Sequence, residues 1–345
     1  MRQPSKYISG VFIILTLLFI SSCSEPLDHA YALNGKTMGT TYNVKFYLSE
    51  QSQNVDVQAL QAELDQRLIE INQLMSTYIP DSELSLLNQA IANEPFPISD
   101  ETQRVINEAL RIGNMSNGAL DITVGPLVNL WGFGPDQKPE TVPRPEQISE
   151  LEPFVGTDKF VLDGGKIIKA HHKVYIDLST IAKGYAVDEL ASILSDKGIA
   201  DYLVEIGGEM RVAGKKPGQQ DWLVAIEKPI TSERAIQRIL SIGDNAIASS
   251  GDYRNYFEEA GVRFSHLIDP KTAYPIQHNL VAVSVIAPTC IEADGLATAL
   301  IVMGAEEGRA LAERAGISAL FITKEGDEFV EYRSTAFERH VKVVQ

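Results

Sequence analysis

The sequence predicts an α+β fold: a single compact domain in which a mixed or antiparallel sheet packs against helices, behind an N-terminal lipoprotein signal. Three observations point there. Strand-like alternation dominates from Phe160 onward, helical spacing is confined to a few segments, and the two periods are interspersed irregularly rather than as strand–helix–strand repeats. No repeat or low-complexity linker divides the 345 residues, so one domain is expected over 34–345.

The N-terminus carries Arg2 and Lys6, then a mostly apolar run from Val11 to Ile20. That run is too short to span a bilayer and suits a signal-peptide core. It ends in Ile20-Ser21-Ser22-Cys23, which resembles a bacterial lipobox. On this reading residues 1–22 are a lipoprotein signal peptide, Cys23 is lipidated, and residues 23–33 tether the domain. Cys290 is the only other cysteine. With Cys23 acylated no internal disulfide is available, and stability rests on burial. The leader holds two of the 30 basic residues, so the mature chain sets 28 against 46 acidic ones, a net of −18. Such a surface repels nucleic acid and is compatible with divalent cations.

Along the domain, Thr41 to Leu48 alternates as a strand after the turn Gly35-Lys36-Thr37-Met38-Gly39-Thr40. The turn lacks the lysine a P-loop requires. Val57, Leu60, Leu64, Leu68, Ile71 and Met75 mark one face of a long helix. A second helix is expected from about Glu101 to Met115, with Asp100 and Gln103 as a capping-box variant. Gly134 to Pro153 reads as an exposed loop, and Phe160–Leu162 with Lys166–Lys169 as a hairpin about Gly164-Gly165. Further strands are expected at Tyr202–Ile206, Glu209–Ala213, Trp222–Ile226, Ile236–Ile242, Val262–Ile268 and Leu280–Ile286. Helices from Ile291 to Met303 and on to Ala315 follow, with a last strand pair near Leu320 and Val330.

The segment Ile176-Asp177-Leu178-Ser179-Thr180-Ile181-Ala182-Lys183 carries most chemistry. Val174, Ile176 and Leu178 alternate as a strand, Ser179 or Thr180 is placed to cap a helix, and Gly198 to stop it. A helix start with hydroxyls and a lysine suits a phosphate; Asp177 beside it suits a metal or a sugar hydroxyl. Taken alone, the segment is equally an ordinary capped helix. Ser76-Thr77-Tyr78-Ile79-Pro80-Asp81 turns the chain and offers Tyr78 to a planar ligand, although an aromatic at a helix end ordinarily belongs to the core. Gly118 to Gly134 places Asp121 in an apolar stretch, where it needs a partner or a ligand. Ser249-Ser250-Gly251-Asp252-Tyr253-Arg254 is followed by Ser265-His266-Leu267-Ile268-Asp269-Pro270, with His266 just before a turn. Asp294 and Thr298 share a helix face, and a carboxylate with a hydroxyl one turn away is a workable edge of a Mg²⁺ site. No HExxH, CxxC, GxSxG or EF-hand loop is present.

Together these six co-linear segments, from Gly35 to about Gly304, resemble the ApbE family of FAD:protein FMN transferases. The resemblance implies Mg²⁺-dependent transfer of the FMN half of FAD to a threonine hydroxyl of a target protein, with a phosphoester formed and AMP released. It implies acceptor subunits in the sodium-translocating quinone reductase or related redox complexes. It also implies a lipid anchor in the inner membrane on the periplasmic side, with the outer membrane left open. Flavin contacts implied by it are Met38, Tyr78, Ala119, Leu120, Asp121, Asp177, Lys183 and Ile268. Metal contacts fall on Thr180, Asp294 and Thr298, and on Ala297, where some members carry an acidic ligand. His266 is the candidate base and Asp294 the second candidate. The same metal site could instead hydrolyse FAD to FMN and AMP, and Tyr78, Asp121 and Lys183 alone would also serve a non-catalytic flavin-binding lipoprotein.

Overall fold

The computed structural model describes residues 29–135, 141–230 and 235–345. The signal peptide, Cys23 and the first part of the expected tether lie outside these residues. An eight-stranded antiparallel sheet forms the centre, and its strands follow one another in chain order. They are β1 (Ala30–Thr37), β2 (Thr40–Tyr47), β3 (Asp201–Ile206), β4 (Glu209–Ala213), β5 (Ala246–Gly251), β6 (Leu280–Ala287), β7 (Ser318–Glu325) and β8 (Glu328–Arg333). The sheet therefore begins at Ala30, inside the segment 23–33 expected as tether: Leu33 is buried and pairs with Val44.

Helices cover one face of the sheet. α1 (Val57–Met75) buries Leu60, Leu64, Leu68, Ile71 and Met75 on the predicted face, and Asp56 caps it by accepting from the N–H groups of Gln58 and Ala59. Each buried side chain stabilises the fold by about 2 kcal/mol. α2 (Glu83–Gln89) follows, then α3 (Asp100–Met115). Its cap is Ser99, whose hydroxyl accepts from Thr102 N–H, so Asp100 begins the helix instead of capping it. The stretch expected as a loop contains α5 (Pro145–Ser149) after the short α4 (Gly125–Leu130), because Ile148 is drawn into a satellite core with Leu127, Trp131 and Phe257. α6 (Ala182–Asp196) ends at Gly198 (φ 73°), as the sequence predicted. α7 (Cys290–Ala315) breaks at Gly304, matching the two helices expected.

The other face is covered by a small sheet of Val224–Glu227, Ile236–Ser241 and Lys342–Val343, with Phe337 of α8 (Thr335–His340). β6 lies between both layers and every one of its residues is buried. Elsewhere the strand expectations change. Val262–Ile268 divides into Val262–Ser265 and Ile268–Asp269, which join different hairpins. β5 was not anticipated; in its Ala-Ile-Ala-Ser-Ser-Gly run Ile247 is the one β-branched residue, and the small residues let α7 lie close above it.

Candidate functional site

The site lies where the starts of α6 and β4, the end of β5 and the second turn of α7 meet. On the approach to α6 the alternating apolar residues Val174, Ile176 and Leu178 are buried, and Asp177 with them, yet this segment joins no ladder. A side chain replaces the missing strand. Asn88 Oδ1 accepts from Ile176 N–H (2.7 Å) and Asn88 Nδ2 donates to Ile176 C=O (2.8 Å). Buried Lys169 donates to Asn88 C=O (2.6 Å), and Asp177 N–H donates to Ile122 C=O (2.7 Å). The segment carrying Asp177 is thus fixed from both sides.

Asp177 accepts from Ser179 N–H at 2.8 Å, a local turn that leaves both expected caps unused. The helix cap is Ile181, with no side-chain bond, so Ser179 and Thr180 do not cap α6. Thr180 Oγ1 is buried without a hydrogen-bond partner. A buried hydroxyl left open in this way costs stability unless something else completes it.

Lys183 follows on the first turn of α6. Its ammonium is 3.2 Å from Glu209 Oε1 and 4.0 Å from Asp294 Oδ1. Asp294 Oδ2 accepts from Gly184 N–H at 2.9 Å. One turn on, Thr298 Oγ1 is 3.2 Å from Ser250 Oγ of β5. Burial raises the carboxyls of Asp294 and Glu209, with Glu209 pushed up to about 7. Burial would lower Lys183, but the charges of Asp294 and Glu209 hold it above its ordinary value. Two buried carboxyls thus share one ammonium, and their upward shifts reflect that shortage of positive charge. Glu209 Oε2 is also buried without a partner.

α6 and α7 are bound reciprocally. Asp188 of α6 accepts from Cys290 N–H and Ile291 N–H, both at 2.9 Å, capping α7 where its own Thr289 makes no side-chain cap. Arg211 donates to the same carboxylate at 2.6 Å.

His266 completes this end. Its Nδ1 lies 3.1 Å from Asn255 C=O, which can only accept, so Nδ1 carries the proton and Nε2 is left as an acceptor. Burial lowers the imidazole, the Asn255 bond opposes this, and the charge of Lys183 lowers it further. Neutral His266 is thus a base within the field of Lys183.

The other expected contacts fall into two groups. Tyr78 is 66% exposed, not core, and its hydroxyl is raised by partial desolvation and by the charge of Asp177. Met38 sits at the β1–β2 turn with φ 49°, a conformation unusual for a side-chain-bearing residue. Asp121 has a protein partner: it accepts from Thr123 N–H (2.8 Å) and Thr123 Oγ1 (2.6 Å). Ala119, Leu120 and Ile268 are buried in the cores, which leaves backbone groups as their polar surface. Ala297 is fully buried and its methyl carries no ligand atom, so its backbone carbonyl is the one group it could offer a cation.

Among the described residues no three His, Cys, Asp or Glu side chains group together. A cation here would be held by the Asp294 carboxylate with the Thr180 and Thr298 hydroxyls. That all-oxygen set with one carboxylate fits Mg²⁺, which keeps several waters, and the unpartnered Thr180 hydroxyl and the shortage of positive charge agree with it. Glu209, Ser250, Asn88 and Asp188 were not assigned from sequence. Ser250 lies within the segment Ser249–Arg254 that the sequence singled out, while Glu209, Asn88 and Asp188 gain their roles only from distant partners.

The model of the ApbE family matches residues 38–321. An FAD:protein FMN transferase of Vibrio cholerae is 47% identical over 325 residues, covering 94% of this chain and 96% of that protein. One of Haemophilus influenzae is 45% identical over 340 residues, covering 97% and 98%. The solved flavin transferase ApbE from Vibrio cholerae superposes with a TM-score of 0.84 at 46% identity, over 90% of this chain and 99% of that one. The apo form of Pseudomonas stutzeri flavinyl transferase ApbE gives 0.84 at 39% identity, over 91% and 97%.

Proposed function

The chain belongs to the ApbE family, and on that premise we propose that it moves the FMN half of FAD onto a threonine hydroxyl of a target flavoprotein. It is a flavin transferase with FAD as substrate and a protein as acceptor. The observation that supports the chemistry best is the meeting of Lys183, Asp294 and Glu209, with the unpartnered Thr180 hydroxyl on the approach to the same helix and His266 feeling the charge of Lys183.

Asp294, Thr180 and Thr298 would hold Mg²⁺, which would supply positive charge against the pyrophosphate of FAD and the departing AMP. Tyr78 offers its exposed ring to the flavin, and Asp177, whose charge reaches Tyr78, is a second flavin contact. Lys183 directs its ammonium at the phosphates, and the N–H groups at the start of α6 add to that field. The acceptor oxygen attacks the FMN phosphorus, the bond to the AMP oxygen breaks, and His266 Nε2 takes the hydroxyl proton. In the cell the protein is anchored through lipidated Cys23 to the periplasmic side of the inner membrane. Its acceptors are subunits of the sodium-translocating quinone reductase or related redox complexes. Incubation with FAD, Mg²⁺ and such a subunit tests this: covalent flavin fluorescence on the subunit is expected, and free FMN with no labelled subunit contradicts it.

A further inference from the structure

We propose that Glu209 is a positioning residue for the cation site: it holds the Lys183 ammonium away from Asp294, so that Asp294 Oδ1 stays open to a divalent cation. The inference rests on the reading of Asp294 as a metal ligand.

The two oxygens of Asp294 are not equivalent. Oδ2 is committed to Gly184 N–H at 2.9 Å. Oδ1 faces the Lys183 ammonium at 4.0 Å, beyond hydrogen-bond range. The same ammonium is 3.2 Å from Glu209 Oε1. Charge attraction rises as separation falls and is little screened in a buried site, so the nearer carboxylate decides where the ammonium rests. Glu209 is 5% exposed and Asp294 3%, so neither charge is dispersed by solvent. Among the described residues these two carboxylates are the ion-pair partners of Lys183.

The elements explain why the division is stable. Lys183 reaches out from α6, while Glu209 leaves the Gly207-Gly208 turn at the first residue of β4, across the site from α7. Without the Glu209 charge, Asp294 is the one carboxylate left, and the flexible lysine stem can bring the ammonium onto Oδ1. An ammonium there competes with a cation for the same lone pairs. Glu209 Oε2, buried and without a partner, is an acceptor of the kind that the waters of a hydrated Mg²⁺ donate to. Glu209 thus acts through Lys183 and through water, without touching the reacting atoms.

Titration of the full-length protein with Mn²⁺ alone, followed by electron paramagnetic resonance, tests this without turnover. Glu209→Gln is expected to weaken Mn²⁺ binding at least about tenfold, the scale seen for outer residues that orient metal ligands. Combining Glu209→Gln with Lys183→Met removes the competing ammonium and should restore most of that affinity. The double variant also leaves no buried lysine unpaired, which protects the comparison against simple misfolding. Lys183→Met alone should bind Mn²⁺ at least as tightly as wild type. Equal affinity in wild type and Glu209→Gln overturns the inference, as does a double variant no tighter than the single one or a weakened Lys183→Met. Absence of Mn²⁺ binding to the wild type overturns the metal reading itself.

Discussion

Gly184 and Asp294 join two helices across the centre of the site: the Gly184 N–H of α6 donates to Asp294 Oδ2 of α7 at 2.9 Å. The contact exists because residue 184 has no side chain. A Cβ there would lie 2.3 Å from Cys290 C=O and 2.8 Å from Asp294 Cβ. Gly184→Ala must therefore separate the helices, and overpacking of this kind costs about 1–3 kcal/mol. A lower thermal midpoint together with reduced transfer is expected. A variant that melts and reacts like wild type would show that the close approach is unnecessary.

His266→Ala should lose about 10²–10⁴-fold in transfer rate while still binding FAD, since a positioned base typically contributes that much. The pH dependence has a definite sign. Burial, opposed by the Asn255 bond and aided by Lys183, holds the imidazole below its ordinary 6.5. The neutral base therefore persists as pH falls, and the acid limb of the rate profile lies below pH 6.5. A limb above that value, or near-normal transfer by the variant, would remove His266 from the mechanism.

Tyr78→Ala should raise KM for FAD several-fold, about the 0.5–1.5 kcal/mol of an aromatic contact, and leave kcat largely intact. Because the ring is 66% exposed, its removal should not shift the melting temperature. An unchanged KM would place the flavin elsewhere.

Cys23→Ser should abolish incorporation of radioactive fatty acid and release the protein from the membrane fraction. A wild-type protein that takes up no label contradicts the lipid anchor, whatever the outcome for transfer.

Periodicity made much of the fold legible. The α1 face, the Gly164-Gly165 hairpin and the Gly198 stop all express one local physical rule each, and each stands where the sequence placed it. What escaped depends on distant partners. The extended run to Asp177 looked like a strand because its apolar residues alternate in the sequence, but its backbone partner is the amide of Asn88. β5 is built from small residues chosen for closeness to α7, so it carried little strand signal. Ser99 and Asp100 are both good caps one step apart, and only the bond to Thr102 separates them. At the site, Asp294, Thr298 and Lys183 announced themselves as polar groups on apolar helices. Glu209 did not, because its meaning arises only when β4 is laid beside α6.

Acceptor labelling with and without EDTA, for wild type and Asp294→Ala, tests the central claim most directly. Wild type with FAD and Mg²⁺ should place covalent flavin fluorescence on the acceptor subunit, EDTA should remove that signal, and excess Mg²⁺ should restore it. Asp294→Ala should give no labelled acceptor at any Mg²⁺ concentration. Labelling that survives EDTA, or an Asp294→Ala variant with the wild-type Mg²⁺ response, would contradict metal-assisted transfer at this site.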